Sequence, residues 1–389
     1  MSVTTALGFV AGGVACGIKA SGDLDLAVVA TDDGSPVVAA AVFTSNLAAA
    51  PPVQLSRDHL TDTGGSAAAV IVNSGNANAA TGGPGRAHAE RMAALVADGL
   101  GCAPAHVLVC STGLIGIPLP IEAIETGAPG LMANLGRSTE QDDAAAQAIL
   151  TTDTKAKRVL FEEDGFTIGG MAKGAAMLAP NMATMLAVLT TDAELDHSTL
   201  QGALRAAVAS SFNAVTVDAC TSTNDTVVIL ASGRRGPVDE ARFVEALARA
   251  CGSLSQQMAA DAEGATKLAR VRVVGAASDE DAGAAARKVA QSRLVQCSLY
   301  GEDPYWGRVV SELGSSGAAF DVDKVSVAYG GIVVCRGGVA CDHDEPAVAA
   351  HMAGRDISIS ADLGLGAGQA AIVFTDLGPG YIAENMTTS

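Results

Sequence analysis

Aromatic side chains are scarce in this chain. Of 389 residues only 3% are Phe, Tyr or Trp, and there is a single tryptophan. Its core must be filled by small aliphatic side chains packed closely. Positive charge is also short, with 24 Lys and Arg against 42 Asp and Glu and a formal net charge of −18. That balance repels a phosphate backbone and an anionic membrane surface, so neither nucleic acid nor membrane is an expected partner. The eight cysteines form no CxxC pair. This excludes a zinc-ribbon pattern, and a chain of this length needs no disulfide framework, so reduced thiols and a cytoplasmic location are expected. Long apolar runs are missing as well. The opening MSVTTALGFVAGGVACGIKA has no basic residue before Lys19 and does not read as a secretion signal. The 18-residue uncharged run 174–191 is interrupted by Pro180, Asn181 and three threonines, which does not suit a membrane span.

What is present suits a folded enzyme: 49% hydrophobic and 17% charged residues exclude a disordered chain. The length suggests two domains rather than one core. Strand-like runs lie at 25–30, 37–44, 68–73, 106–110, 184–191, 226–231, 271–275, 325–335 and 370–376, and helix patterns at 85–98, 121–135, 139–150, 198–211, 239–260 and 280–291. Ser138 with Gln141 and Ser198 with Gln201 have capping-box spacing. Strands follow one another without regular helices between them, so the class is α+β with antiparallel or mixed sheets covered by helices. The charged, turn-rich ASGRRGPVDEAR (231–242) suggests a boundary, giving a main catalytic domain 1–235 and a smaller domain 236–389.

Within the uncharged run, Thr184 follows Ala183 and the turn-forming pair Pro180–Asn181 and leads into the apolar TMLAVLTT. One reading makes Thr184 the first residue of a buried strand. The other makes it a nucleophile. Its hydroxyl attacks the preceding carbonyl, the resulting ester is hydrolysed, and a new chain begins at residue 184. The α-amine so created has an ordinary pKa of about 7.7–8.0. It can then serve as base for its own hydroxyl. The two readings are compatible, and local sequence does not choose between them.

The wider sequence does. KGAAMLAPNMATMLAVLTTDA (173–193) resembles the self-cleaving segment of the ornithine acetyltransferases, the bifunctional glutamate N-acetyltransferase family of arginine biosynthesis. FVAGGVACGIKASGDLDLAVV (9–29), VNSGNANAATG (72–82), VCSTGLIG (109–116), ILTTDTKAK (149–157), IGGMAKGA (168–175), CTSTNDTVV (220–228), ADAEGATKLARV (260–271), GEDPYWGRV (301–309) and DLGLGAGQA (362–370) resemble family motifs in the family order. Each alone is weak; together they are specific.

The resemblance implies a layered αββα-type self-processing N-terminal-nucleophile fold with a smaller C-terminal α/β domain, whose tail returns to the active site. It implies cleavage between Ala183 and Thr184 into chains 1–183 and 184–389, assembled as a heterotetramer of two αβ units. Thr184 would take acetyl from N2-acetyl-L-ornithine and pass it to L-glutamate in a ping-pong cycle, with Thr112 and Gly113 stabilising the oxyanion. Substrate-binding positions match Thr151, Lys173, Thr184, Glu263, Asn385 and Ser389. The choice between Thr151 and Thr152 is open by one position, as is that between Ser389 and Thr388. The tail GYIAENMTTS (380–389) departs from the family by its shorter spacing and missing aromatic residue, and Tyr305 stands where the family more often has Asn. No cofactor or metal is implied, although acetyl-CoA is a further donor for some relatives.

Other constellations are weaker. CDHDEP (341–346) clusters possible metal ligands in one loop, which more often is a solvated turn. GLGAGQA (364–370) is neither a phosphate-binding loop nor a dinucleotide fingerprint. Two rival functions stay open at this point: an aminopeptidase or amidase of the related self-cleaving fold, and an uncleaved amino-acid-binding protein.

Overall fold

The structure, a computed structural model, describes residues 1–177 and 185–386. It divides into two compact units, one of Met1–Asn213 with Thr221–Met258 and one of Ala214–Cys220 with the described residues from Ala259 to Met386.

The strands of the first unit are β1 (Phe9–Val14), β2 (Leu26–Thr31), β3 (Val37–Phe43), β4 (Ser66–Ala67), β5 (Ala69–Asn76), β6 (Val107–Leu114), β7 (Lys157–Glu163), β8 (Phe166–Lys173) and β9 (Leu186–Thr191). β11 (Thr226–Ala231) completes them, while the short β10 (Val215–Thr216) between belongs to the second unit. They form a four-stranded sheet in the order β1-β2-β5-β6 and a six-stranded sheet in the order β4-β3-β11-β9-β8-β7. Side chains alternate across each strand, and β2 shows the result. Ala27 and Val29 point into one apolar core with Val70, Leu108, Met171, Leu186, Val188 and Val228, which fills the space between the two sheets. Leu26, Val28 and Ala30 point the other way, into a core shared with the helices α1 (Pro51–Asp62), α2 (Gly82–Leu100) and α3 (Ile121–Ala133). The far side of the six-stranded sheet carries α5 (His197–Ser210) and α6 (Glu240–Ala260), with Gln201 bonded to Ala41 and the Phe243 ring 5.5 Å from that of Phe166. The remaining helix, α4 (Thr139–Ala148), adds Ala145, Ala146 and Ala148 to the core between the sheets. The first unit is thus α+β, in four layers: helices, sheet, sheet, helices.

The second unit adds β12 (Leu268–Ala276), β13 (Ser326–Tyr329), β14 (Ile332–Arg336), β15 (Val339–Ala340), β16 (Asp356–Asp362) and β17 (Gly368–Thr375) to β10. Their mixed sheet runs β10-β17-β12-β16-β13-β14-β15. Helices α7 (Asp279–Ala290), α8 (Arg293–Tyr300), α9 (Trp306–Gly314) and α10 (Glu345–Ala353) share its core, and α11 (Pro379–Glu384) closes the described chain.

Three expectations need correction. The boundary at 235/236 does not separate these units, because α6 packs its buried Phe243, Leu247 and Leu254 with the first. β10, by contrast, pairs in parallel with β17. The run 325–335 is not one strand but a hairpin turning at Gly330 and Gly331, both at positive φ. The capping box at Ser138 and Gln141 forms, whereas Ser198 caps nothing. Asp196 accepts the N–H of Thr199 instead, and Gln201 is drawn away to the backbone of β3.

Candidate active site

β5 and β6 run parallel, and their register breaks at Gly75 and Asn76, opposite Thr112, Gly113 and Leu114. Gly113 adopts φ +131, and a Cβ there would lie 2.3 Å from the Gly75 carbonyl carbon. Only glycine fits this close approach of two backbones. Buried amides pin the turn. Ser111 Oγ donates to Asn73 Oδ1 at 2.5 Å, and Asn224 Nδ2 donates to the Ser111 carbonyl at 2.9 Å and to that of Ala77 at 2.6 Å. Asn76 Nδ2 holds the Ile117 and Pro118 carbonyls. The Thr112-Gly113 backbone is therefore fixed before any ligand arrives.

Lys173, the last residue of β8, is 2% exposed and pairs with Leu186 at the start of β9. Its Nζ donates to Thr151 Oγ1 at 2.6 Å and to Thr112 Oγ1 at 3.2 Å. Asp153 faces the same ammonium at 3.9 Å and ion-pairs with Lys157 at 2.5 Å. It also accepts the N–H of Gly174 at 2.7 Å and of Thr151 at 3.2 Å. Burial alone would raise the Asp153 carboxyl, but the positive charges of Lys173 and Lys157 and these hydrogen bonds hold it below the usual carboxylate range. One buried carboxylate thus orders two lysines and both ends of the Thr151–Gly174 connection.

Asp225 lies beside this cluster, immediately before β11, and is fully buried. Its Oδ1 accepts the N–H of Met185 at 2.9 Å. Burial pushes this carboxyl well above the usual range, against the lesser pull of the Met185 N–H, the Ser222 hydroxyl and the charge of Lys173.

In the second unit, Glu263 is 8% exposed and its Oε2 accepts from Asn385 Nδ2 at 2.8 Å. Gly264, at φ +62, lets the tail pass closely, since a Cβ there would lie 2.1 Å from the Tyr381 amide. A cavity of about 780 Å³ in this unit is lined by Asp218, Arg293, Glu312 and Tyr381 but not by Glu263 or Asn385. The Glu263 site is defined by its polar contact, not by that cavity.

The structure thus brings Thr112, Gly113, Thr151 and Lys173 together in one unit and Glu263 with Asn385 in the other. Ala183, Thr184 and Ser389, with its rival Thr388, lie outside the described residues. Among the described residues no group of three or more His, Cys, Asp or Glu gathers as a metal site, and no helix is long and apolar enough to cross a membrane. Sequence reasoning missed Asp153, Lys157, Asn73, Asn224 and Asp225. Each lies inside a quoted motif, but only tertiary contacts show it buried beside the site.

Comparison with known proteins gives the following. A model described as the ArgJ family matches residues 10–388. The arginine biosynthesis bifunctional protein ArgJ of Thermobifida fusca is 46% identical over 390 residues, covering all of both chains. The protein of the same name from Streptomyces avermitilis is 47% identical over 392 residues, again over all of both. Among solved structures, the arginine biosynthesis bifunctional protein of Bacillus halodurans is 36% identical with a TM-score of 0.50, spanning 54% of this chain and 99% of that one.

Proposed function

The chain belongs to the ArgJ family, the acetyltransferases of arginine biosynthesis, and from that premise we propose that it matures by cutting itself at Ala183–Thr184. It then carries acetyl from N2-acetyl-L-ornithine to L-glutamate on Thr184. In maturation the Thr184 oxygen bonds to the Ala183 carbonyl carbon, the C–N bond breaks, and the hydroxyl proton goes to the departing nitrogen. Water hydrolyses the ester, leaving an Ala183 carboxylate and a free Thr184 amine and hydroxyl. In turnover that amine takes the hydroxyl proton while the oxygen attacks the acetyl carbonyl. Ornithine leaves with a proton, and the glutamate amine then attacks the acetyl ester to release N-acetylglutamate and regenerate Thr184.

The observation that carries this reading is the buried Lys173 ammonium bonded to both Thr112 and Thr151. Because Nζ donates to Thr112 Oγ1, the hydroxyl proton of Thr112 is free to point at a developing oxyanion, alongside the N–H of Gly113. Loss of one such donor costs about 10²–10³ in kcat. Thr151 and Lys173 would bind the α-amino-acid head common to both substrates. Glu263, with Asn385 and Ser389, would meet the cationic ornithine side chain. No cofactor takes part. Acetyl-CoA as an alternative donor, a heterotetramer of two αβ units and a cytoplasmic location complete the proposal.

The test is Thr184→Ala. The variant is expected to stay one chain and to lose acetyl transfer by at least 10³-fold. A variant that still transfers acetyl contradicts the mechanism. Product analysis adds the second half: acetate released equally fast without glutamate would make the protein a hydrolase of the aminopeptidase or amidase kind.

A further inference from the structure

Gly75 backs the Thr112-Gly113 turn, yet none of the amides that pin that turn bonds Gly75 itself. It sits where the β5–β6 register breaks, at φ +96 and without a side chain to anchor it. Ladder hydrogen bonds give least support at such a break. Support comes from the opposite side. A Cβ on Gly75 would lie 3.0 Å from Lys19 Cγ and 3.2 Å from Ile18 Cγ2, so the loop 16–19 is pressed against it.

This loop lies between β1 and β2 and has no strand or helix of its own. Asp25, the residue before β2, orders it. The Asp25 side chain is fully buried, and its Oδ1 accepts the N–H of Cys16 at 2.7 Å. Its Oδ2 accepts those of Gly17, Ile18 and Lys19 at 3.1, 2.7 and 3.0 Å. Successive N–H groups turned on one anion form a backbone nest, here with the anion supplied by the same chain. Lys19 Nζ closes the loop by donating to the Leu24 carbonyl at 2.7 Å. The main chain of Asp25 grips β5 as well: its carbonyl accepts the N–H of Ser74, the neighbour of Gly75, at 2.9 Å. One residue therefore holds both the strand that carries Gly75 and the loop that presses on it.

We infer that Asp25 is a positioning residue of the reaction, acting through the loop 16–19 and Gly75 to aim the Thr112 and Gly113 donors at the oxyanion. This inference rests on the oxyanion role proposed above for those two residues. Asp25 touches no reacting atom, and it has no hydrogen bond to Thr151 or Lys173, which are assigned to the substrate's α-amino-acid head. Its effect therefore falls on the transition state rather than on binding. A misplacement of about 1 Å can cost about 10²-fold in rate.

The test compares Asp25→Asn, Thr112→Ala and the double variant, with rates counted per processed chain. Asn sets an N–H donor where the carboxylate accepted, so the nest loosens. Asp25→Asn is expected to lower kcat about ten- to a hundredfold, with KM changed by less than about twofold. Thr112→Ala is expected to lower kcat by about 10²–10³. The double variant should fall little below Thr112→Ala alone, because a turn already out of line has little left to lose. Asp25→Asn with wild-type kcat, or losses that multiply in the double variant, overturns the inference. Thr112→Ala with wild-type kcat overturns the oxyanion role itself. If Asp25→Asn does not fold, Ile18→Ala takes its place, removing the Cγ2 contact with Gly75 and leaving the carboxylate intact. A fall in kcat alone then supports the positioning role, and wild-type kcat overturns it.

Discussion

Asp153 and Asp225 are both buried carboxyls, both lie under the influence of Lys173, and their ionisation moves in opposite directions. Asp153 has two ammonium groups and two backbone N–H groups around it. Among the described residues Asp225 has one N–H, the Ser222 hydroxyl and the more distant charge of Lys173, which is shared with other partners. Burial is common to both, so burial alone does not set the direction of the shift; the compensating partners do. The Asp153 corner is a finished electrostatic scaffold. The Asp225 corner has fewer compensating partners for the same burial.

That contrast is broken most forcefully at Asp153. Replacing it with Asn leaves Lys157 and Lys173 buried without their counter-charge, and loss of one partner of a buried pair costs about 3–5 kcal/mol. Denaturant unfolding should show this as a lower midpoint at unchanged slope, and an effect near zero would mean the lysines find other partners.

Asp25 sharpens the comparison from a third side. Burial raises this carboxyl, but the N–H groups of Cys16, Gly17, Ile18 and Lys19 accumulate on it at 2.7–3.1 Å and hold it below the usual range. A depressed folded pKa contributes stability above the unfolded value of about 3.9, and that contribution fades as pH falls through the folded value. Asp25→Asn should therefore cost about 1.5–3 kcal/mol at pH 7. The gap to wild type should close as pH drops below about 4. A gap that stays constant would show that shape, not charge, is what Asp25 supplies.

The smallest effect is expected in the second unit. Asn385 is exposed, and its Nδ2 donates to Glu263 and to the Tyr381 carbonyl of its own helix. Asn385→Ala should raise KM for the acetyl donor about fivefold, the equivalent of about 1 kcal/mol, with kcat nearly unchanged and no measurable loss of stability. An equal fall in kcat would place Asn385 in the transition state rather than in binding.

Most of the fold was legible in the residues. The runs 37–44, 184–191 and 226–231 become β3, β9 and β11 because small and β-branched side chains fill the core between sheets. β8 was hidden, since FTIGGMAK is buried on both faces and its glycines erase the alternation. α1 was hidden by the prolines that begin it, although proline suits the first turn of a helix. At the site, Lys173 stood out as a charge in an apolar, Gly-rich stretch. Asp153 and Asp225 did not, because an acid near a strand end reads as a turn residue until tertiary contacts show it buried. Such contacts join residues far apart in sequence, as Met185 to Asp225 does, and no local pattern encodes them.

The most direct measurement is the intact mass of the natively expressed, purified protein under denaturing conditions, with N-terminal sequencing of each species. Two chains whose masses sum to 38.7 kDa plus one water, the second opening Thr-Met-Leu-Ala, are expected. A single active polypeptide of 38.7 kDa, with residue 184 still joined to Ala183, would contradict the nucleophile and everything assigned to it.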